Sequence, residues 1–149
     1  MEFDLSQIKL SRNDLRRGLI LPKQSSEELA EFIGILTGDG FINYYANKKI
    51  YITDISGDKN LDKEYLKIYV NNLIKRLFNI NCKIYYKKNQ NSICARLLSK
   101  GIYNYLVSIG FKTGKKEQIG IPKWIAENNS LMISFIMGLI DTDGSLMLT

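Results

Sequence analysis

The chain has 149 residues, a net charge of +6, two cysteines and no histidine, which suits one ordinary globular core. The missing histidines exclude His-metal sites and Ser-His or Cys-His nucleophiles, so acid, base and metal chemistry falls to carboxylates, lysines and water. No apolar run is long enough to span a bilayer, and the start Met-Glu-Phe-Asp lacks the regions of a signal peptide. The expectation is a soluble intracellular protein, cytoplasmic or organellar, with Cys82 and Cys94 as plain strand residues rather than a disulfide.

Residues 1–24 read as an N-terminal arm. Within it Ser11 and Asp14 form a capping-box pattern for a short turn ended by Gly18. Pro22 separates the arm from a first long helix capped by Ser25 or Ser26, with Glu27 and Glu28 at its positive end. Leu29, Ala30, Phe32, Ile33, Ile35 and Leu36 surround that helix with apolar groups, which predicts burial on most sides. After Gly40 the period changes to two. Phe41–Tyr45 and Lys49–Ser56 read as a hairpin around Ala46-Asn47-Lys48.

Asn60 is the expected cap of a second helix to about Phe78, with a stripe of Leu61, Tyr65, Leu66, Tyr69, Val70, Leu73 and Leu77. A second hairpin follows, Cys82–Lys88 and Ser92–Leu98, turning at Asn89-Gln90-Asn91. Ser99 opens a third helix closed by Gly110, and a basic loop leads to Ile121-Pro122. A last helix starts near Ser130. The order is αββαββα plus one helix, an α+β fold of helices layered on a four-stranded antiparallel sheet.

Charge is segregated along this order. No acid lies between Glu64 and Glu117, an interval with eleven Lys and Arg residues. All fifteen acids lie outside it, a pattern that fits a polyanionic partner.

Two stretches repeat one pattern: Phe32–Gly40 reads FIGILTGDG and Ile136–Gly144 reads IMGLIDTDG. Gly34 and Gly38 are four apart on one helix edge, and Gly138 and Thr142 repeat that spacing. Small residues so placed let helix backbones approach closely. A crossing there would bring Asp39 and Asp143 together at the helix ends. Paired carboxylates with backbone carbonyls suit a hard cation such as Mg²⁺, which can activate water against a phosphodiester.

The two motifs resemble those of LAGLIDADG homing endonucleases of the two-motif type, truncated here after the second motif. YITDISGDKNLDKEYL, GFKTGKK and IPKWI resemble the same family, so the likeness covers roughly residues 25–145. It implies a first repeat over 25–128 whose sheet binds double-stranded DNA, and a second motif helix over 129–149 without the rest of its repeat. It implies Asp39 and Asp143 as catalytic acids binding Mg²⁺ or another divalent cation, with Gly38 and Thr142 lending backbone oxygens. It also implies intron- or intein-associated hydrolysis of DNA at a long site, weak or absent in this form. The alternative on the same fold is a maturase acting on intron RNA, or a non-catalytic DNA-binding regulator.

Strand alternation proposes the DNA-facing set. If Ile42, Tyr44, Ile50 and Ile52 face the helices, then Asn43, Tyr45, Lys49, Tyr51 and Thr53 face outward. In the second hairpin Lys83, Tyr85, Lys87 and Arg96 face outward. A one-residue register slip inverts such an assignment. Lys59 or Lys115 is the candidate for the auxiliary lysine the family places near its active site. The last helix, lacking its repeat, can pack on the first, pair with another copy or await a separate half-domain; self-association is the expectation.

Overall fold

The computed structural model describes residues 1–88, 90–112 and 120–147, with side chains described as far as Asp141. Its helices are α1 (Arg12–Arg17), α2 (Glu27–Asp39), α3 (Asn71–Phe78), α4 (Lys100–Ser108), α5 (Lys123–Ala126) and α6 (Asn129–Met147). Its strands are β1 (Gly40–Tyr45), β2 (Ile50–Asp58), β3 (Lys83–Tyr86) and β4 (Ser92–Leu98), joined in one antiparallel sheet of order β1-β2-β4-β3. No described helix is long and apolar enough to cross a membrane. Cys82 and Cys94 are free thiols, each pushed up in pKa by burial.

Local capping starts the helices as the sequence suggests. Ser11 Oγ accepts from the Asp14 amide and Asp14 returns the bond to the Ser11 amide, while Gly18 ends the turn at φ 75°. Ser26, rather than Ser25, caps α2 by accepting from the Leu29 amide, and Ser99 caps α4 by accepting from Ile102. Residues 1–24 are tied to the body throughout. Phe3 packs edge-on against Tyr105 and Trp124, and Tyr105 Oη donates to the Pro22 carbonyl. Asp14, fully buried, reaches across to α4 and accepts from Ser99 Oγ at 2.7 Å and the Gly101 amide at 2.9 Å.

The start of the second long helix differs from expectation. Asp58, not Asn60, holds the local amides: its Oδ1 accepts from Asn60 and Leu61, and Asp62 accepts from the Asp58 amide. A carboxylate is the stronger acceptor, so the chain turns before the helix and Leu61 is left 76% exposed. The helix opens with α-helical backbone at residues 63 and 64, runs on as a π-helical stretch, Tyr65–Val70, and passes into α3. Leu66, Val70, Leu73 and Leu77 keep the predicted inward stripe, whereas Tyr69 is exposed.

The sheet buries Ile42, Ile55, Ile93, Ala95 and Leu97 against the helices. Register corrects one strand. The turn between β1 and β2 holds four residues, with Lys49 in the left-handed region at φ 53°, and pairs Tyr45 with Ile50. Thr53 therefore lies opposite both Ile42 and Leu97, on the helix side, where it is 1% exposed. Tyr51 shares that side, stacked on Tyr44 at 4.3 Å and edge-on to Tyr103 of α4. Ile50 and Ile52 occupy the outer face instead. Their apolarity suggested the opposite parity, but pairing across the turn decides it.

Candidate catalytic helix pair and nucleic-acid interface

The two motif helices cross on their glycines. A Cβ placed on Gly34 would lie 2.1 Å from the Phe135 carbonyl oxygen, and one on Gly138 would lie 2.2 Å from that of Glu31. Phe135 and Glu31 each stand three residues before the matching glycine of their own motif. The contacts are thus reciprocal, as in a two-fold interface of like surfaces. α6 packs on α2 within this one chain, its inward residues Leu131 and Phe135 buried. Its other side exposes Ile133, Ile136, Met137 and Ile140.

The two motifs end differently. Gly40 leaves α2 in extended backbone, φ −118° and ψ 170°, because it pairs with Ile55 as the first residue of β1. α6 instead continues through Asp143 and Gly144 to Met147. Among the described residues no strand pairs with Gly144. The expectation that Asp143 stands at a helix end is corrected accordingly. Thr142 and Asp143 belong to the α6 backbone, and their side chains fall outside the described ones.

Asp39 closes α2 and lines a narrow crevice with Ile55, Ser56, Asp62, Tyr65 and Leu66. Tyr65 places its hydroxyl there without a hydrogen-bond partner. Its pKa is raised first by burial, then by the negative charges of Asp141, Glu31, Tyr69 and Asp39, which puts these groups within electrostatic reach of one another. Tyr69 donates to Glu31, a bond that with partial burial pushes it up to about 12. Burial also raises Asp141. Thr37 spends its hydroxyl on the Ile33 carbonyl, inside its own helix. Among the described residues no three acidic, cysteine or histidine groups gather as a ready-made ion site. The donors in question are all hard oxygens, however, and that chemistry fits a divalent cation such as Mg²⁺.

The outer sheet face carries most of the predicted polar set. Asn43, Tyr45, Lys83, Tyr85 and Lys87 are exposed there. Lys49 is exposed but belongs to the turn, and Tyr51 and Thr53 point to the helices, as described above. Lys59 lies beyond β2 with its Nζ 6.0 Å from the Tyr86 ring, and Lys63 sits 5.7 Å from the same ring; neither lines the Asp39 crevice. Lys115 lies outside the described residues. A groove of about 560 Å³ opens on this face between the β1–β2 turn and Ile52, Arg96 and Leu98.

Arg96 is held rather than loose. Its Nε and Nη2 donate to Asp54 at 2.8 and 2.9 Å, and its guanidinium lies 4.8 Å from the Tyr85 ring. Bonding to Asp54 raises the Arg96 pKa well above its usual range. Asp54 is an outer-face acid that strand patterning did not single out. The alternation of β2 was its one available signal, and that reading was inverted.

No protein-family model matches the chain. An uncharacterized protein of Methanocaldococcus jannaschii is 29% identical over 127 residues, 83% of this chain and 43% of the relative. A replication factor C small subunit of the same organism is 30% identical over 124 residues, 81% of this chain and 6% of the relative. The chain thus spans less than half of these curated relatives. Among solved structures, the homing endonuclease I-DmoI in complex with DNA and Mn superposes with TM-score 0.54 at 24% identity, over 78% of this chain and 61% of that one. I-DmoI with DNA and Ca aligns similarly, with TM-score 0.53 and 24% identity, over 78% of this chain and 56% of that one.

Proposed function

Starting from the LAGLIDADG homing-endonuclease fold that this chain has, we propose that it binds double-stranded DNA through its outer sheet face and belongs to a metal-dependent DNA endonuclease. The observation that carries this reading is the reciprocal glycine crossing of α2 and α6 beside a sheet whose second hairpin is free of acids. In this reading Asp39 and Asp143, with the Gly38 and Thr142 carbonyls, would hold Mg²⁺ or another divalent cation. When bound, the cation supplies an activated water and stabilises the leaving oxygen of a phosphodiester. The chain's own part is to fix the carboxylates by a crossing that tolerates no side chain at Gly34 or Gly138. Asn43, Tyr45, Lys83, Tyr85, Lys87 and Arg96 meet the duplex, the lysines at phosphates and the polar and planar groups at base edges.

The exposed apolar side of α6 is, in this reading, the seat of a second half-domain or a second copy. Without it this form nicks DNA weakly or not at all. Manganese titration of the protein–duplex complex, followed by the ion's relaxation, tests the site independently of turnover. Asp39→Asn is expected to weaken the bound ion by about tenfold or more and to abolish any nicking. Duplex affinity is expected to change by less than about threefold, since phosphate contacts dominate it. Equal manganese binding in the variant, or undiminished nicking, contradicts the assignment of Asp39.

A further inference from the structure

One row of the outer sheet face runs across all four strands: Phe41, Asp54, Arg96 and Lys83, paired in that order. Its centre has an unusual arrangement. The Asp54 side chain is only 3% exposed, although it is on the sheet face away from the core, because Arg96 lies over it. Arg96 gives Asp54 the side-on edge of its guanidinium, Nε and Nη2. Tyr85, on the neighbouring strand, supports the guanidinium plane. An arginine side chain ordinarily keeps much rotamer freedom, and each contact that orders it costs entropy. Here both edge and plane are fixed before any ligand arrives.

Asp54 does not use the fork's other edge, although the Cys94 thiol also bonds to this guanidinium. The guanidinium has five N–H donors, and the Asp54 pair engages two of them, leaving the end-on pair formed by Nη1 and Nη2. The Arg96 side chain is 29% exposed and borders the open groove. Two parallel donors at that spacing match the O6 and N7 acceptors of guanine in the major groove, the commonest bidentate base contact. Adenine offers N7 beside an amino donor, so the same fork meets one acceptor and one repulsive group.

Resting on the reading that this sheet face binds duplex DNA, we propose that Arg96 reads a guanine, with Asp54 and Tyr85 as its positioning residues. Lys83, next along the row, has no planar fork and supplies charge toward a phosphate. Asp54 lowers the net positive charge of a DNA-binding face, which disfavours loose binding while sharpening one contact.

The test is selection from a duplex library with a randomised core, followed by competition between the selected duplex and its single-base variants. The wild-type chain is expected to enrich one guanine whose replacement by adenine weakens binding roughly 5- to 150-fold. Arg96→Lys is expected to erase most of that preference. Asp54→Asn is expected to weaken the same preference at that position alone, without loss of affinity for random duplex. A merely structural ion pair would give a different result: Asp54→Asn would lower the melting temperature and leave the guanine preference intact. That outcome overturns the proposal, as does a guanine preference unmoved by Arg96→Lys. Should Asp54→Asn fail to fold, Tyr85→Leu decides, since it removes the supporting ring without uncovering a buried charge; an unchanged guanine preference there also overturns it. Failure of the library to enrich any duplex overturns the DNA-binding reading and this proposal together, whereas enrichment with no Arg96-dependent guanine overturns this proposal alone.

Discussion

Gly138→Val is expected to cost about 3 kcal/mol or more, lowering the thermal midpoint by roughly 6–12 °C in a domain of this size. The added Cβ would stand 2.2 Å from the Glu31 carbonyl oxygen, backbone that cannot move aside without separating α2 from α6. Gly34→Val meets the Phe135 carbonyl at 2.1 Å and is expected to act alike. The sign is informative because helix propensity argues the other way. Glycine inside a helix costs about 1 kcal/mol relative to alanine, so a glycine without a packing role is improved by Gly→Ala. Gly120→Ala, with nothing within 4 Å of its added Cβ, is the control and is expected to be neutral or slightly stabilising. Circular-dichroism melts of the three glycine variants check this. A Gly138→Val protein that melts as high as the parent contradicts the close crossing.

The second large effect lies away from the proposed site. Asp14 is fully buried and accepts from Ser99 Oγ, from the Gly101 and Ser11 amides, and from Arg17 Nη2 at 3.1 Å. Arg17 also donates to the Leu98 carbonyl at 2.7 Å, so one carboxylate ties α1, the end of β4 and the start of α4. Asp14→Ala leaves several buried donors without an acceptor and is expected to cost about 3–5 kcal/mol. Burial alone would raise the Asp14 pKa, but the hydrogen bonds from Ser99, Ser11 and Gly101 together outweigh it, and the net shift is downward from 3.8. A depressed folded-state pKa means stability that is fully present above the unfolded value and lost as pH falls through the folded one. The gap between parent and Asp14→Ala in urea unfolding is therefore expected to be constant from neutral pH to about 5 and to shrink below about 4. A gap that widens toward acid pH contradicts the network as described.

Features governed by near neighbours were the legible ones. Ser11, Ser26 and Ser99 cap helices because each side chain serves an amide three residues on. The glycine spacing of the repeated motifs announced a close helix crossing, and the structure places it at Gly34 and Gly138. The four-stranded antiparallel sheet under helices was readable from the change of period alone.

What sequence could not resolve depends on partners far along the chain. The facing of Tyr51 and Thr53 turns on whether the β1–β2 turn holds three residues or four, and Lys49 can enter either the turn or the strand. Asp54 acquires its role from Arg96, forty-two residues away, through strand pairing. Asp58 displaced Asn60 as the local acceptor because its carboxylate, two residues earlier, takes the amides of Asn60 itself and of Leu61 and turns the chain there. Gly40 and Gly144 occupy equivalent motif positions, yet one begins a strand and the other continues a helix. Gly40 is set by its pairing with Ile55, which motif identity does not encode.

The central claim, that the outer sheet face is built for duplex DNA, is tested most directly by measuring affinity for a random-sequence duplex across salt concentrations. With Lys83, Lys87 and flanking lysines at phosphates, the affinity is predicted to fall steeply, with a log–log slope of about −4 that shrinks by about 1 in Lys83→Ala. A slope near zero, or one unchanged in Lys83→Ala and Lys87→Ala alike, would contradict it.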